Sequence, residues 1–236
     1  MKKVAIVQSS YIPWKGYFDM IAGVDELVLY DDAQYTRRDW RNRNQIKTPR
    51  GLEWLTIPVE VKGRYLQKVR ETRVSDPAWA RSHWSALVQN YGPARHFAAY
   101  RARFEELYLG CREEMLSRIN FRFIAAVCEL LGIRTKISWS MDYDLVEGRT
   151  ERLVGLCRSA GGTHYVSGPS ARDYLDQAQF DRAGIAVSYM DYSGYPEYTQ
   201  LHGGFVHTVT ILDLLFNEGA AAPRYMKAAA RMGTAA

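Results

Sequence analysis

Cysteine is scarce in this chain, and its spacing argues against two classes of protein at once. Three cysteines, Cys111, Cys128 and Cys157, stand among 236 residues without a CxxC pair. Two of them fall in apolar helical patterns, where a small hydrophobe packs. That is neither a disulfide framework nor a zinc-ligand set. The five histidines add no HxxxH or HExxH spacing, so no two share a helix face toward a metal. A G-x-S-x-G elbow is missing, and with it any support for a serine hydrolase triad. No apolar run approaches the length of a membrane span, and the first residues read as a strand rather than a signal segment, so a cytoplasmic protein is expected. Repeats and low-complexity blocks are also lacking.

What is present is an ordinary globular composition, 47% apolar and 24% charged, with enough length for a sizeable core. The net charge of +5 is modest but local, because Arg37, Arg38, Arg41, Arg43 and Lys47 crowd into one short stretch. Such a cluster suits phosphate or carboxylate, and its alternative is a solvated basic face.

The runs VAIVQ (4–8) and ELVLYDD (26–32) are β-rich and flank a segment whose apolar residues Tyr17, Phe18, Ile21 and Ala22 recur at helical spacing. Strand, helix, strand at this length predicts a βαβ unit and the start of a parallel sheet. WLTIPVEV (54–61) reads as a further strand. From 77 to about 132 the pattern is helical, three helices ending at Gly92, Gly110 and Gly132, where glycine is expected to release the chain into the left-handed region. Strands RTKISWS, THYVSG and IAVSYMDY then alternate with helices ERLVGLCRSAG and DYLDQAQFDRAG, and VTILDLLFNEG is a last helix. The expected fold is α/β, a parallel-sheet Rossmann-like core with an inserted helical cap. Its halves span 1–76 and 133–220, the insertion 77–132, and a flexible C-terminal tail 221–236.

In open α/β sheets, ligands bind beyond the carboxyl ends of the strands, near the point where strand order reverses. The polar clusters of this chain fall at those ends. QSSYIPWKGY (8–17) supplies Gln8, Tyr11, Trp14 and Tyr17 around a proline-fixed turn. DDAQYTRRDWRNRNQIKTP (31–49) supplies Gln34 and an alternation of Arg41, Asn42, Arg43 and Asn44, guanidinium forks and carboxamides suited to anionic oxygens. Tyr35 and Trp40 are candidates to stack on a base or sugar ring. Basic residues among aromatics also describe a nucleic-acid surface, but one compact cluster fits a small phosphorylated ligand better. Asp31 and Asp32 either hold a metal, orient the arginines, or simply end a strand.

Ser140 ends a later strand. Ser167, Gly168 and Ser170, followed by Arg172, resemble a phosphate cradle at a helix entry, though Ser-Gly-Pro-Ser is also ordinary turn chemistry. Among the histidines, His83 beside Trp84 and on the side of Trp79 is a candidate general base, or else a hydrogen-bonded histidine at the seam between cap and core.

These residues together resemble the WbqC-like family, found largely among proteins encoded with bacterial O-antigen and surface-polysaccharide genes. The likeness runs over 4–219. Its opening motif is matched by Gln8, Tyr11, Pro13, Trp14, Gly16, Tyr17, Phe18 and Asp19, and a D-D-x-Q-Y…W-R-N-R-N-x-I-K-x-P block is matched over 31–49. Trp79 and His83 carry a W-x-x-x-H, residues 165–168 a Y-x-S-G, and a D-L-L-F-N lies near the end. Ser9-Ser10 departs from the commoner Pro-Asn, which implies a somewhat different substrate. The resemblance implies glycoconjugate or related biosynthesis. By extension it implies a transferase forming an amide on an amino sugar or similar amine, with His83 and Asp31 as catalytic candidates and an acyl or aminoacyl carrier as a possible donor.

The layout is also similar to the nucleotidyltransferase and pantothenate synthetase group, with Trp14-Lys15-Gly16-Tyr17 at the HxGH place but neither histidine. That alternative, an adenylate-forming ligase, implies ATP and Mg²⁺; otherwise no obligatory cofactor is implied. A third reading is a non-catalytic binding protein of a polysaccharide assembly complex.

Overall fold

In the computed structural model, residues 1–228 are described. Five strands form one parallel sheet, β1 (Lys3–Val7), β2 (Glu26–Leu29), β5 (Lys136–Trp139), β6 (His164–Ser167) and β7 (Ala186–Tyr189), in the order β5-β2-β1-β6-β7. The order runs outward from β1 in both directions, so the sheet is Rossmann-like with its switch point between β1 and β6. α1 (Lys15–Ala22) joins β1 to β2, and α5 (Arg149–Ser159) and α6 (Gln177–Arg182) serve the second half.

Period-2 alternation in β1 explains how the sheet is covered. Val4 and Ile6 pack with Val28, Leu156, Tyr165 and Phe180 on one face, while Ala5 points with Leu27, Leu29 and Val166 into the larger core on the other. That larger core takes in Phe18 and Ile21 of α1 and, from α7 (Ile211–Glu218), Leu212, Leu215 and Phe216. The three helices within 77–132, α2 (Trp79–Tyr91), α3 (Phe97–Leu109) and α4 (Leu116–Leu130), share it through Trp84, Leu87, Phe104, Phe123 and Val127.

Four sequence expectations change, the first being that the strand expected at 54–61 runs instead over Gly51–Thr56. Arg43–Thr48, expected as part of a polar strand-end loop, is strand β3 and pairs antiparallel with β4 (Gly51–Thr56) in a separate hairpin. Its sequence RNQIKT hides the strand because the inward positions Asn44, Ile46 and Thr48 include two polar residues that find partners only in the folded chain. Of the three helix-ending glycines, only Gly132 is left-handed, at φ 69°; Gly92 and Gly110 remain in the right-handed region. The expected free tail after Ala220 is packed as far as it is described. Residues Gly219–Tyr225 form a 3-10 segment, Ala222 and Met226 are buried, and the Ala228 amide donates to Asp19 Oδ1 at 2.6 Å. The rest of that tail, 229–236, lies outside the described residues.

Candidate functional site

A cavity of about 790 Å³ opens at the β1/β6 switch point, within the size range of small-molecule sites. The sequence-derived candidates Gln8, Trp14, Tyr17, Arg41, Asn44, Ser167 and Gly168 all line it. They arrive from four places, the end of β1, the start of α1, the β2–β3 connection with β3, and the end of β6.

The β1 loop is held by a dense set of bonds. Arg41 Nη1 donates to the Gln8 carbonyl at 3.1 Å and to Ser10 Oγ at 3.0 Å, and its Nε lies 3.5 Å from Asp39 Oδ2. The side chain is 15% exposed. Its second terminal nitrogen has no protein partner among the described residues, leaving half of the guanidinium fork for a ligand. Tyr17 Oη also donates to the Gln8 carbonyl, at 3.1 Å. From α4, the Asn120 amide donates to Ser9 Oγ at 3.0 Å and to the Arg41 carbonyl at 2.9 Å, coupling the two arms of the site. Asn44 donates to the carbonyls of Tyr11 and Ile12 at 3.2 and 2.9 Å.

Asp31 is fully buried and does not line the cavity. Its carboxylate accepts from the Ser9 amide at 2.8 Å and from Ser117 Oγ. Burial pushes its pKa up, against the lowering effect of those bonds. It therefore positions the β1 loop against α4. Asp32 is likewise engaged, by Lys68 at 3.0 Å, Arg70 at 2.9 Å and Ser140 Oγ at 2.9 Å. These partners outweigh burial and hold it below the usual carboxylate range. Neither aspartate is arranged as a metal ligand, and among the described residues no group of three His, Cys, Asp or Glu side chains is placed to hold one.

His83 does not reach the cavity. Its Nε2 faces the Thr56 carbonyl at 3.2 Å, and its Nδ1 faces Tyr11 Oη at 2.9 Å. A carbonyl can only accept, so Nε2 carries the proton, Nδ1 accepts from Tyr11, and the Tyr11 oxygen in turn accepts from Tyr108 at 2.9 Å. Burial lowers the imidazole pKa to about 4. Trp79 and Phe123 pack edge-on against Tyr11. The W-x-x-x-H pair and Tyr11 are thus parts of a buried aromatic and hydrogen-bonded cluster, and His83 is not placed to accept a proton from a ligand in the cavity.

Four other candidates stand outside the lining. Asn42 donates to the Ile57 carbonyl at 2.8 Å, Gln34 to the Tyr65 carbonyl at 2.7 Å, and Ser140 to Asp32. Arg43 turns away, its guanidinium 4.0 Å over the Trp54 ring and bonded to the Arg38 carbonyl. Of the two stacking candidates, Trp40 lines the cavity while Tyr35 is buried.

Sequence reading missed Arg149, Tyr174, Tyr192 and Thr208. Arg149 is the first residue of α5 and lies 3.9 Å over the Tyr174 ring. A basic residue after Gly148, at a helix start following β5, was the available signal. Tyr192 and Thr208 belong to an irregular strap, 190–209. It is pinned by Lys15 Nζ to the Pro196 carbonyl at 2.9 Å and by Lys47 Nζ to Gln200 Oε1 at 2.8 Å. Lys15 lies over the rings of Tyr195, Tyr198 and Phe205, and burial brings its pKa down to about 8.

The lining therefore joins two arginines to Trp14, Tyr17, Tyr30, Trp40, Tyr165 and Tyr192, with hydroxyls and carboxamides between them. No carboxylate, imidazole, amine or thiol side chain faces the cavity among the described residues. The lining is thus cationic and aromatic, with no opposing acidic side chain among the described residues.

A parallel sheet flanked by helices, with a cationic, aromatic cavity at its switch point, defines an α/β protein of Rossmann-like layout. The chain belongs to the WbqC-like protein family, whose model matches residues 8–225. It is similar to uncharacterized protein Rv1507c of Mycobacterium tuberculosis (strain ATCC 25618 / H37Rv), with 56% identity over 227 residues, covering 96% of this chain and 98% of that one. No solved structure matches.

Proposed function

We propose that the protein binds a nucleotide-linked amino sugar or a comparable anionic, ring-bearing molecule, and acts on it as a transferase that forms an amide at its amine. The observation that carries the reading is Arg41, whose guanidinium is half anchored on the β1 loop and half free at the switch-point cavity. An arginine so fixed loses little freedom when it binds a phosphate, and Arg149 adds a second positive charge to the same lining. The rings of Trp14, Trp40 and Tyr192 suit a base or sugar. The amide chemistry rests on the family resemblance. No imidazole or carboxylate lines the cavity among the described residues, so the site orients the two reactants, with tyrosine hydroxyls as its proton-transfer groups. The neutral amine attacks the acyl carbon, the bond to the donor's adenylate or thiolate breaks, and the amine proton departs with that leaving group.

A second reading, a non-catalytic binding protein, is favoured by the lack of a carboxylate or imidazole in the lining among the described residues. One experiment separates them. Purified protein is incubated with nucleotide-linked amino sugars and acyl donors of three kinds, an acyl adenylate, an acyl-coenzyme A and an acyl carrier protein, and the sugar is followed by mass. A mass gain equal to the acyl group, lost in Arg41→Ala, supports the transferase. Tight binding with no mass gain from any donor selects the binding protein, and absence of both binding and turnover defeats the two readings together.

A further inference from the structure

Trp40 is shared by two surfaces. It lines the cavity, yet 40% of the residue remains exposed. Its ring meets Trp54 of the hairpin at 5.3 Å with a 43° tilt, and Trp54 is 42% exposed. Two large, half-exposed indoles side by side at a cavity mouth are unusual on a solvated surface and mark a contact site. Trp40 is also fixed in place, since its carbonyl accepts the Tyr11 amide at 3.1 Å.

The polar groups around the indoles indicate what the contact is. Gln45 stands directly opposite Trp54 in the β3–β4 register, so the two side chains share one face of the hairpin. The Gln45 side-chain amide has no protein partner among the described residues. Arg43 opposes Thr56 on that same face and lies over Trp54, held there by its bond to the Arg38 carbonyl. Two half-exposed indoles beside a free carboxamide offer apolar area for the C–H face of a pyranose ring and, from Gln45, a donor and an acceptor for its hydroxyls. Leu52, also on this face and 41% exposed, widens the apolar area, so self-association through the same face is the competing occupant and is read in the test.

We propose that Trp40 and Trp54, with Gln45 and Arg43, form a saccharide subsite that continues the cavity outward and receives neutral sugar rings beyond the one held inside. The substrate class is then an oligosaccharide-bearing molecule rather than a single nucleotide-linked sugar. This assignment rests on the proposed anionic site only for its direction. The platform itself needs no phosphate.

The test uses the full-length protein and neutral probes. Binding of N-acetylglucosamine and of its linear trimer is measured by calorimetry for the wild type, Trp54→Ala, Trp54→Phe and Arg41→Ala, and uridine diphosphate is titrated in parallel. The expected result is a trimer affinity that exceeds that of the monomer, falls about tenfold in Trp54→Ala, recovers largely in Trp54→Phe and is unchanged in Arg41→Ala. Uridine diphosphate affinity should fall in Arg41→Ala and stay level in Trp54→Ala. No trimer binding by the wild type, or equal binding by Trp54→Ala, overturns the subsite and leaves the anionic site standing. Loss of the reverse kind, trimer binding intact and nucleotide binding insensitive to Arg41, defeats the anionic site and leaves the subsite. Sedimentation of the same samples covers the competing occupant. A dimer that Trp54→Ala converts to monomer assigns the face to self-association and overturns the proposal.

Discussion

The side-chain amide of Asn44 donates to the carbonyl of Ile12 at 2.9 Å, and Ile12 holds φ at 36°. A β-branched residue at positive φ is strained, and such strain persists only where the surroundings over-determine it. Thr210 Oγ1 supplies a second donor to the same carbonyl at 2.8 Å. Asn44→Ala and Thr210→Val should each cost about 1–3 kcal/mol. Because the two share one acceptor, their effects should not add, and a double-mutant cycle by denaturant unfolding measures the coupling. Strict additivity would mean that the Ile12 turn is held by something else.

Arg41 and Arg43 are neighbours in sequence with different surroundings, and the cavity sees only the first. Arg41→Ala should weaken binding of uridine diphosphate by about one to two powers of ten. Arg41→Lys should be nearly as harmful, since an ammonium cannot bond the loop and a phosphate with one planar fork. Both variants should also lose some thermal stability through the Gln8 and Ser10 contacts. Arg43→Ala should leave nucleotide affinity level. A drop equal to that of Arg41→Ala in a titration would contradict the placement of Arg43 over Trp54.

His83 makes a statement about acid stability. The unfolded chain takes up a proton near the ordinary histidine value of 6.5, the folded chain only near 4. Between those values the unfolded state binds more protons. Stability is therefore full above about pH 6.5, declines as pH falls, and has lost this contribution by about pH 4, in all on the order of 3 kcal/mol. His83→Gln should be less stable at neutral pH but flatter across that window, as read by urea midpoints. Nucleotide affinity should not follow the mutation. If it does, His83 is coupled to the cavity after all.

Gly16 sits under the indole of Trp14. A Cβ there would lie 2.3 Å from Trp14 Cζ2, so Gly16→Ala must push the ring off the cavity wall or strain the start of α1. The expected cost is about 1–3 kcal/mol in stability, together with weaker ligand binding and a shifted tryptophan emission. An unchanged emission with full affinity would show that the Trp14 ring does not form that wall.

The sheet and its helices were legible in the sequence because their signals are local. Val4 and Ile6 alternate with Ala5, and Phe18 and Ile21 recur along α1. The candidate site was legible in part. Gln8, Trp14, Arg41 and Ser167 follow from strand-end position alone, a rule about topology that needs no contacts. What stayed hidden depends on partners far away in the chain. Nothing around Asn44 reveals that it will bond two carbonyls of the β1 loop, and nothing around His83 reveals that Tyr11 and Thr56 will close over it. Arg149 was overlooked because one basic residue at a helix start has no pattern of its own.

The pairing of β1 with β6 also orders the making of the protein. Lys3 lies opposite His164 in that register, so the two walls of the cavity leave the ribosome more than half a chain apart. The β1 loop and its arginine come early and must wait, cationic and aromatic, for Ser167 and Gly168 to arrive. A nascent chain halted before β6 would display Trp14, Tyr17 and Arg41 with no opposite wall. Premature termination in that interval is thus expected to yield sticky fragments in place of a weakened binder.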